Sequence, residues 1–374
     1  VGELDSSLVA LQKVYDLTGD SLEDVTNRAF TMGNTLARTG KDVIDAVTTA
    51  KRAGYDMEES FKLGEQALVM TNVAENIKSV EDASGSLVAV LRGYGMEIDK
   101  VTHLVNSFNE VSNTQAVNFD DLVEGATRIS GVMNQQGNSF EEMLGLITGG
   151  TEVLRDVEKV SSGIQTITMR LAGMTEEGDK LDPQVVSKMT DEFERLAGVS
   201  LVDASGQIRD TYDILSDMSK VMPTLEKNTK QYLLELASGK RQANVLAAIL
   251  SNWENVEKAV DSATNSYGSA EKEMEKYLNS IEGKTNQLKS NLQELSIDFI
   301  SSDTVKGVID LTNNILGLID VCGGLNAVIL SLGVSFAIFK FAPMISGAGL
   351  LAEAIGMLTL KTTGLALSMG TLNT

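Results

Sequence analysis

The C-terminal end of the chain is poor in charge, and this constrains how the protein can fold. Residues 321–374 carry three charged side chains, Lys340, Glu353 and Lys361. Residues 321–339 have no charge, and residues 341–360 have only Glu353. Spanning a bilayer takes about 20 predominantly apolar helical residues. We therefore expect these two stretches to be shielded inside an assembly or inserted into a membrane.

Composition predicts an all-α protein. The 374 residues include only 3 prolines and 5% aromatic residues, while 43% are hydrophobic, which argues against both disorder and a β-sandwich or barrel. The formal net charge is −21. Because binding to duplex phosphates needs clustered Lys and Arg, we expect no specific nucleic-acid binding, and any DNA that passes nearby should not stick.

Helical periodicity divides the chain into four segments. Residues 1–200 show successive amphipathic patterns that predict an elongated array of helical hairpins. A weak repeat supports the array, since Gly54-Tyr55-Asp56-Met57-Glu58 resembles Gly93-Tyr94-Gly95-Met96-Glu97 and, more faintly, Gly137-Asn138-Ser139-Phe140-Glu141. Residues 201–265 form a predicted helical core with a short turn or hairpin at 202–210. A coiled-coil helix at 266–302 and a hydrophobic helical segment at 303–374 complete the predicted layout.

The coiled-coil prediction rests on an a/d seam of apolar residues spaced alternately by four and three. The seam has one polar position, and its members are Met274, Leu278, Ile281, Thr285, Leu288, Leu292, Leu295 and Phe299. Such a helix packs either against an antiparallel partner in the same chain or against further copies in a parallel bundle. We favour self-association, because closed symmetric oligomers can share one seam.

The hydrophobic segment contains the residues that we expect to be shielded or membrane-inserted. They are Val328, Ile329, Leu332, Phe336, Phe339, Leu350, Leu351 and Ile355. Residues 321–339 and 341–360 could form a membrane hairpin, with Lys340 at the turn near lipid headgroups. A soluble core hairpin is the alternative.

The chain offers little catalytic chemistry. Its one histidine is His103 and its one cysteine is Cys322, so no disulfide within the chain and no thiol metal site can form. No metalloprotease, phosphate-loop or calcium-loop motif occurs. Residues 238–241 (SGKR) are the one compact basic element, interpreted as a solvated turn or a phosphate contact. We expect no enzyme activity, no metal site and no cofactor.

Four segments occur in an order that resembles a known family. They are residues 159–173 (KVSSGIQTITMRLAG), 203–215 (DASGQIRDTYDIL), 236–250 (LASGKRQANVLAAIL) and 267–295 (YGSAEKEMEKYLNSIEGKTNQLKSNLQEL). Together they resemble the core region of tail tape measure proteins from long-tailed bacteriophages and related prophage particles. The resemblance covers about the N-terminal three quarters of the chain and includes no catalytic signature.

The resemblance implies a structural role in the virion. Such proteins occupy the tail lumen, set tail length, form trimers or hexamers and meet tail-tube and tail-tip proteins. They leave ahead of the genome and help form a passage through the host envelope, which would make a host membrane a further partner. A membrane-active, pore-forming toxin-like protein and a cell-wall hydrolase are the alternatives. Because the chain begins with Val1 and not Met, we expect it to be part of a longer or processed protein.

Overall fold

The computed structural model describes residues 2–16, 20–175 and 178–298, which are predominantly helical. The chain divides into two compact units, Gly2–Ser280 and a second that begins at Ile281. The first unit contains helices α1 Gly2–Val14, α2 Asp20–Leu36, α3 Gly40–Arg52, α4 Met57–Val73, α5 Val80–Tyr94, α6 Val101–Thr114, α7 Phe119–Gln135, α8 Phe140–Leu154, α9 Val157–Leu171, α10 Pro183–Ala197, α11 Thr211–Val221, α12 Lys227–Ser251, α13 Trp253–Thr264 and α14 Ser269–Asn279. The described part of the second unit is α15, Ile281–Asp298. The predicted all-α class is confirmed, since the described ranges contain no β-strand.

The three segments of the weak sequence repeat all lie at turns between helices. Gly54 follows α3, Gly95 follows α5 and Gly137 follows α7, with φ angles of +98°, +60° and +80°. Side chains with a Cβ rarely adopt this left-handed backbone, so glycine is favoured at each turn. Turn geometry explains the shared glycine at Gly54 and Gly137, whereas Gly93, its counterpart in the second segment, lies inside α5 and Gly95 forms the turn instead.

Two of the three repeat segments also start the next helix in the same way. Asp56 accepts a hydrogen bond from the Glu59 amide at 2.9 Å, and Glu59 accepts one from the Asp56 amide at 2.8 Å. Ser139 and Glu142 form the same reciprocal pair before α8, at 3.1 and 2.7 Å. Each capping box satisfies amide donors that a helix start leaves unpaired. These acidic residues thus have a structural explanation in helix initiation.

Side chains connect each turn to the next one along the array. Arg92 donates to the carbonyl of Ala53, 39 positions away. Asn134 donates to the carbonyl of Gly93 at 3.0 Å, 41 positions away. Tyr94 donates to the carbonyl of Ser139 at 3.0 Å, 45 positions away. These bonds between neighbouring turns are typical of stacked helical repeats, in which each unit contacts its neighbours.

The helices from α3 to α9 pack in sequence, and the last helices of the unit then return along them. Helices α3, α5, α7 and α9 contact one another in that order, and α12 packs on α9 and α8. Helix α13 then packs on α8 and α6, while α14 packs on α6 and α4. We call α13 and α14 the return limb, because they contact the earlier helices in reverse order.

A small hairpin connects α10 to α11. Val202 and Ile208 form an isolated antiparallel bridge, and the Asp203 amide donates to the carbonyl of Gln207 at 2.8 Å. Gly206 takes a φ of +82° at the tip. The Asp203 carboxylate accepts from the amides of Ser205 and Gln207 at 2.8 and 3.0 Å, which fixes the turn.

Candidate interaction site

The structure divides the predicted seam between two helices. Met274 and Leu278 lie in α14, and the positions from Ile281 to Leu295 lie in α15. Between them Ser280 has an extended backbone, with φ −73° and ψ 163°. One continuous coiled-coil helix over 266–302 is thus not what the described residues show. Phe299 and the hydrophobic segment 303–374, with all eight of its predicted shielded residues, lie outside the described residues.

The side chain of Met274 packs within its own chain. Its side chain is 5% exposed, and its sulfur accepts a hydrogen bond from Asn72 of α4 at 3.4 Å. Ile281 is 55% exposed, while Leu278, Thr285 and Leu288 are half-buried. The first member of the predicted seam therefore lies in the core of the first unit, whereas Ile281 is available at the surface.

Two glycines of α8 allow the return limb to approach closely. A Cβ atom on Gly145 would lie 2.6 Å from Val260 Cγ2 and 2.8 Å from the carbonyl oxygen of Val256, both on α13. A Cβ on Gly149 would lie 2.3 Å from Val256 Cγ2. Glycines four apart let helix backbones approach closely. The spacing is visible in the sequence and marks α8 as a helix that another backbone approaches closely, although it does not say which helix that is.

Buried polar side chains of α6 bind the turn between α13 and α14. Asn106 accepts from the amide of Ala270 at 2.7 Å, and Asn109 donates to the Ser269 hydroxyl at 2.9 Å. Ser107 donates to the carbonyl of Ala263 at 3.0 Å. These three α6 side chains are almost fully buried. We call these three side chains the polar ridge. Because an unpaired buried polar group is costly, the polar ridge specifies where the turn between α13 and α14 lies.

A second polar cluster holds the start of the return limb. Asn252, the residue between α12 and α13, donates to the carbonyl of Gly149 at 3.1 Å and to the Glu152 carboxylate at 2.8 Å. Asn255 also donates to Glu152 at 2.8 Å. The limb is thus tied to α8 at its first turn, to α6 at its middle turn and to α4 through Met274.

Helices α9 and α12, which carry most of the sequence blocks 159–173 and 236–250, pack against each other. A Cβ on Gly163 of α9 would lie 2.6 Å from Val245 of α12. Arg170 of α9 donates to the carbonyl of Leu236 at 3.2 Å, next to Gly239, where α12 leaves helical geometry at φ 70° and ψ 163°. Lys240 and Arg241 are exposed beside this kink. The basic element of the sequence therefore lies at a solvent-facing break in a helix.

His103 has a structural partner in Glu141. Its Nε2 lies 2.6 Å from Glu141 Oε1, which joins α6 to α8. The hydrogen bond with His103 holds the pKa of the Glu141 carboxyl below its usual range. Among the described residues, no group of three or more His, Cys, Asp or Glu side chains could hold a metal ion. In the same part of the chain, no helix is both long enough and apolar enough to cross a membrane.

These observations define an all-α protein whose polar and glycine contacts serve helix packing. Comparison with known proteins then gives the family. The family described as phage-related minor tail protein matches residues 26–239, more than half of the chain. The chain belongs to this family and is a structural protein of the phage tail.

One curated relative extends the comparison. A protein named tape measure protein, from Pneumococcus phage Dp-1, is 19% identical over 296 residues, which cover 79% of this chain and 24% of the relative. The chain thus spans about a quarter of the length of that relative. No solved structure matches the chain.

Proposed function

We propose that the chain is the core region of a tape measure protein, which occupies the tail lumen and tip, sets tail length and assists genome delivery. The observation that carries the proposal is the 296-residue similarity to a relative named tape measure protein. The family places the chain in the virion tail. This membership favours a tail role over the pore-forming toxin-like alternative.

The fold suggests which helices of such a protein can measure length and which supply packing contacts. A continuous helix rises about 1.5 Å per residue and can act as a ruler. Here α13 and α14 return along α8, α6 and α4, so these residues add packing and no length. We therefore propose that α13 and α14 supply packing contacts and do not contribute to length measurement.

We further propose that the chain self-associates, as a trimer or hexamer, through the α15 part of the seam. The exposed Ile281 and the four-three spacing support this proposal. Replacing Leu288 and Leu292 by Asp would introduce charges into the seam and should lower the molar mass measured by light scattering. An unchanged molar mass would contradict self-association through the seam. Tail-tube and tail-tip proteins are the expected neighbours of the assembled protein.

The charge-poor residues 321–374 support a role at the host membrane after release from the tail. A liposome leakage assay on the full chain tests this part of the proposal. We expect dye release that is lost when Ile329 and Phe336 are both changed to Asp. Sealed liposomes with the unmodified chain would assign the membrane role elsewhere.

Electron microscopy of tails tests the proposal as a whole. Deleting the codons for residues 26–280 from the phage gene should abolish tails of defined length. An equal deletion from the rest of the gene should leave tails that are shorter by about 1.5 Å per residue removed. Normal, infectious tails after the first deletion would contradict the proposed function.

A further inference from the structure

One residue inside helix α12 does not have a helical backbone. Gly239 has a φ of 70° and a ψ of 163°, and it lies near the middle of Lys227–Ser251. This combination of angles is open to glycine and strained for residues with a side chain. The bend at Gly239 divides α12 into a first half, residues 227–238, and a second half, residues 240–251.

The local sequence allows a straight helix as well as a bent one. Residues 227–251 contain no proline, and Gly239 is their one glycine. Glycine lowers the stability of a helix interior but does not forbid it. The Ser238 hydroxyl donates to the carbonyl of Leu234, four positions earlier, at 2.6 Å, a bond that serines also form in unbroken helices. Position 239 can therefore take either geometry.

The two halves of α12 differ in how firmly they are held. The second half has six buried residues, which are Ala243, Val245, Leu246, Ala248, Ile249 and Leu250. The first half has three, which are Leu233, Ala237 and Ser238. A segment with fewer buried contacts opens at lower cost. Motion at Gly239 would therefore displace the first half, while the second half stays on α9 and α8.

Arg170 of α9 contacts α12 both in its first half and at the bend. Its Nη2 donates to the carbonyl of Leu236 at 3.2 Å, and a Cβ atom on Gly239 would lie 3.8 Å from its Nε. The same Nε is buried and has no hydrogen-bond partner among the described residues. We call this contact the Arg170 clamp. Because a buried unpaired N–H is costly, the clamp holds the bent helix at a cost that hydration of Arg170 would remove.

We propose that α12 is a two-state helix, with Gly239 as its hinge and the Arg170 clamp as the contact that holds the bent state. In the second state α12 runs straight through position 239, and its first half lies away from α9. Helix α10 moves with it, because Lys188 of α10 lies over the ring of Tyr232 in the first half, 5.9 Å from the ring centre. The chain then has two arrangements of α10 on an unchanged array of α3 to α9. Neither state requires self-association or a partner in the tail.

Spin-label distances in the full chain test the hinge, in a Cys322→Ser background diluted with unlabelled protein so that only distances within one chain are read. Ser162→Cys on α9 is paired with Asn228→Cys in the first half or with Asn244→Cys in the second half, and all three positions are exposed. Gly239→Ala disfavours the bent backbone and favours the helix, so we expect it to raise the ratio of straight to bent molecules about 100-fold. The first-half pair should show a new distance and the second-half pair an unchanged one. A folded Gly239→Ala protein with both distances of the unmodified chain would overturn the hinge, as would a change in both pairs.

Arg170→Met tests the clamp without changing Gly239, and it decides the question if Gly239→Ala does not fold. Methionine keeps an unbranched apolar stem but donates no hydrogen bond, so we expect the same new distance in the first-half pair. Arg241→Met, at an exposed position beside the bend, is the matched control and should keep both distances. If Arg170→Met also keeps both distances, the first half stays on α9 without the clamp, and the two-state helix is overturned. A new distance in both variants would overturn the role of Arg170.

Discussion

The amide of Asn72 donates to the sulfur of Met274 at 3.4 Å, which connects two helices 202 positions apart. Asn72 also donates to the carbonyl of Leu36 at 2.8 Å and accepts from Arg38 at 2.6 Å. One side chain thus joins the end of α2, helix α4 and the return limb. Its bond to Leu36 is to a backbone oxygen and its bond to Arg38 is charge-assisted, whereas its bond to sulfur is weak.

The buried polar side chains of α6, which form the polar ridge, should contribute measurably to the free energy of unfolding. Changing Asn106 to Ala removes the acceptor for the buried amide of Ala270. We expect a loss of about 1–3 kcal/mol in the free energy of unfolding, because the amide would be left unpaired. Urea denaturation measures this loss. Asn113→Ala, an exposed change on the same helix, should stay within about 0.5 kcal/mol. Equal effects of the two changes would contradict the role of the ridge.

Glycine-to-alanine changes on two helices should have opposite signs. At Gly145 a Cβ would meet the carbonyl oxygen of Val256 at 2.8 Å, and backbone cannot move aside easily. We expect Gly145→Ala to destabilise the fold by about 1–3 kcal/mol. A Cβ added at Gly131, in α7, would meet no neighbouring atom within 4 Å, so Gly131→Ala should stabilise by about 0.5–1 kcal/mol. Thermal unfolding of both variants provides the comparison, and stabilisation by Gly145→Ala similar to that by Gly131→Ala would show that α13 does not pack closely on α8.

Much of the helical class and of the turns could be predicted from sequence, because both depend on local signals. The repeat around Gly54 and Gly137 marks turns whose glycine and capping residues act within a few positions. The return limb could not be predicted in this way, since Asn106 and Ala270 are 164 positions apart. The end of α14 at Asn279 could not be predicted from the seam, because the four-three spacing continues through position 280 without a change.

The acidity of the chain predicts weak contact with DNA. With a net charge of −21 and its one compact basic element at 238–241, the protein should not hold duplex DNA at physiological salt. Fluorescence anisotropy with a labelled duplex measures this directly, and Lys240→Glu with Arg241→Glu is the matched variant. Saturable binding that weakens steeply with added salt, and that the variant loses, would show that the kink in α12 contacts phosphate.

Two aspartates of the α10–α11 hairpin region should give opposite pH dependences. Burial raises the pKa of Asp210 above its usual 3.8, whereas hydrogen bonds from Ser205 and Gln207 lower the pKa of Asp203 below it. A raised pKa favours the folded state below 3.8, and this contribution is lost as pH rises through the folded pKa. A lowered pKa acts in the other direction, so its contribution is present above 3.8 and is lost as pH falls through the folded pKa.

Asparagine at either position should remove one of these two dependences. Asp210→Asn can still cap α11 through its side-chain oxygen, as Asp210 does for the Asp213 amide at 2.7 Å. We expect it to flatten the decline in stability as pH rises above 3.8, and Asp203→Asn to reduce the loss of stability below 3.8. Denaturant unfolding at a series of pH values, with carboxyl carbon NMR to follow each titration, measures both effects. If the two variants change the profile in the same pH window and the same direction, burial and hydrogen bonding do not control these carboxyls as the structure indicates.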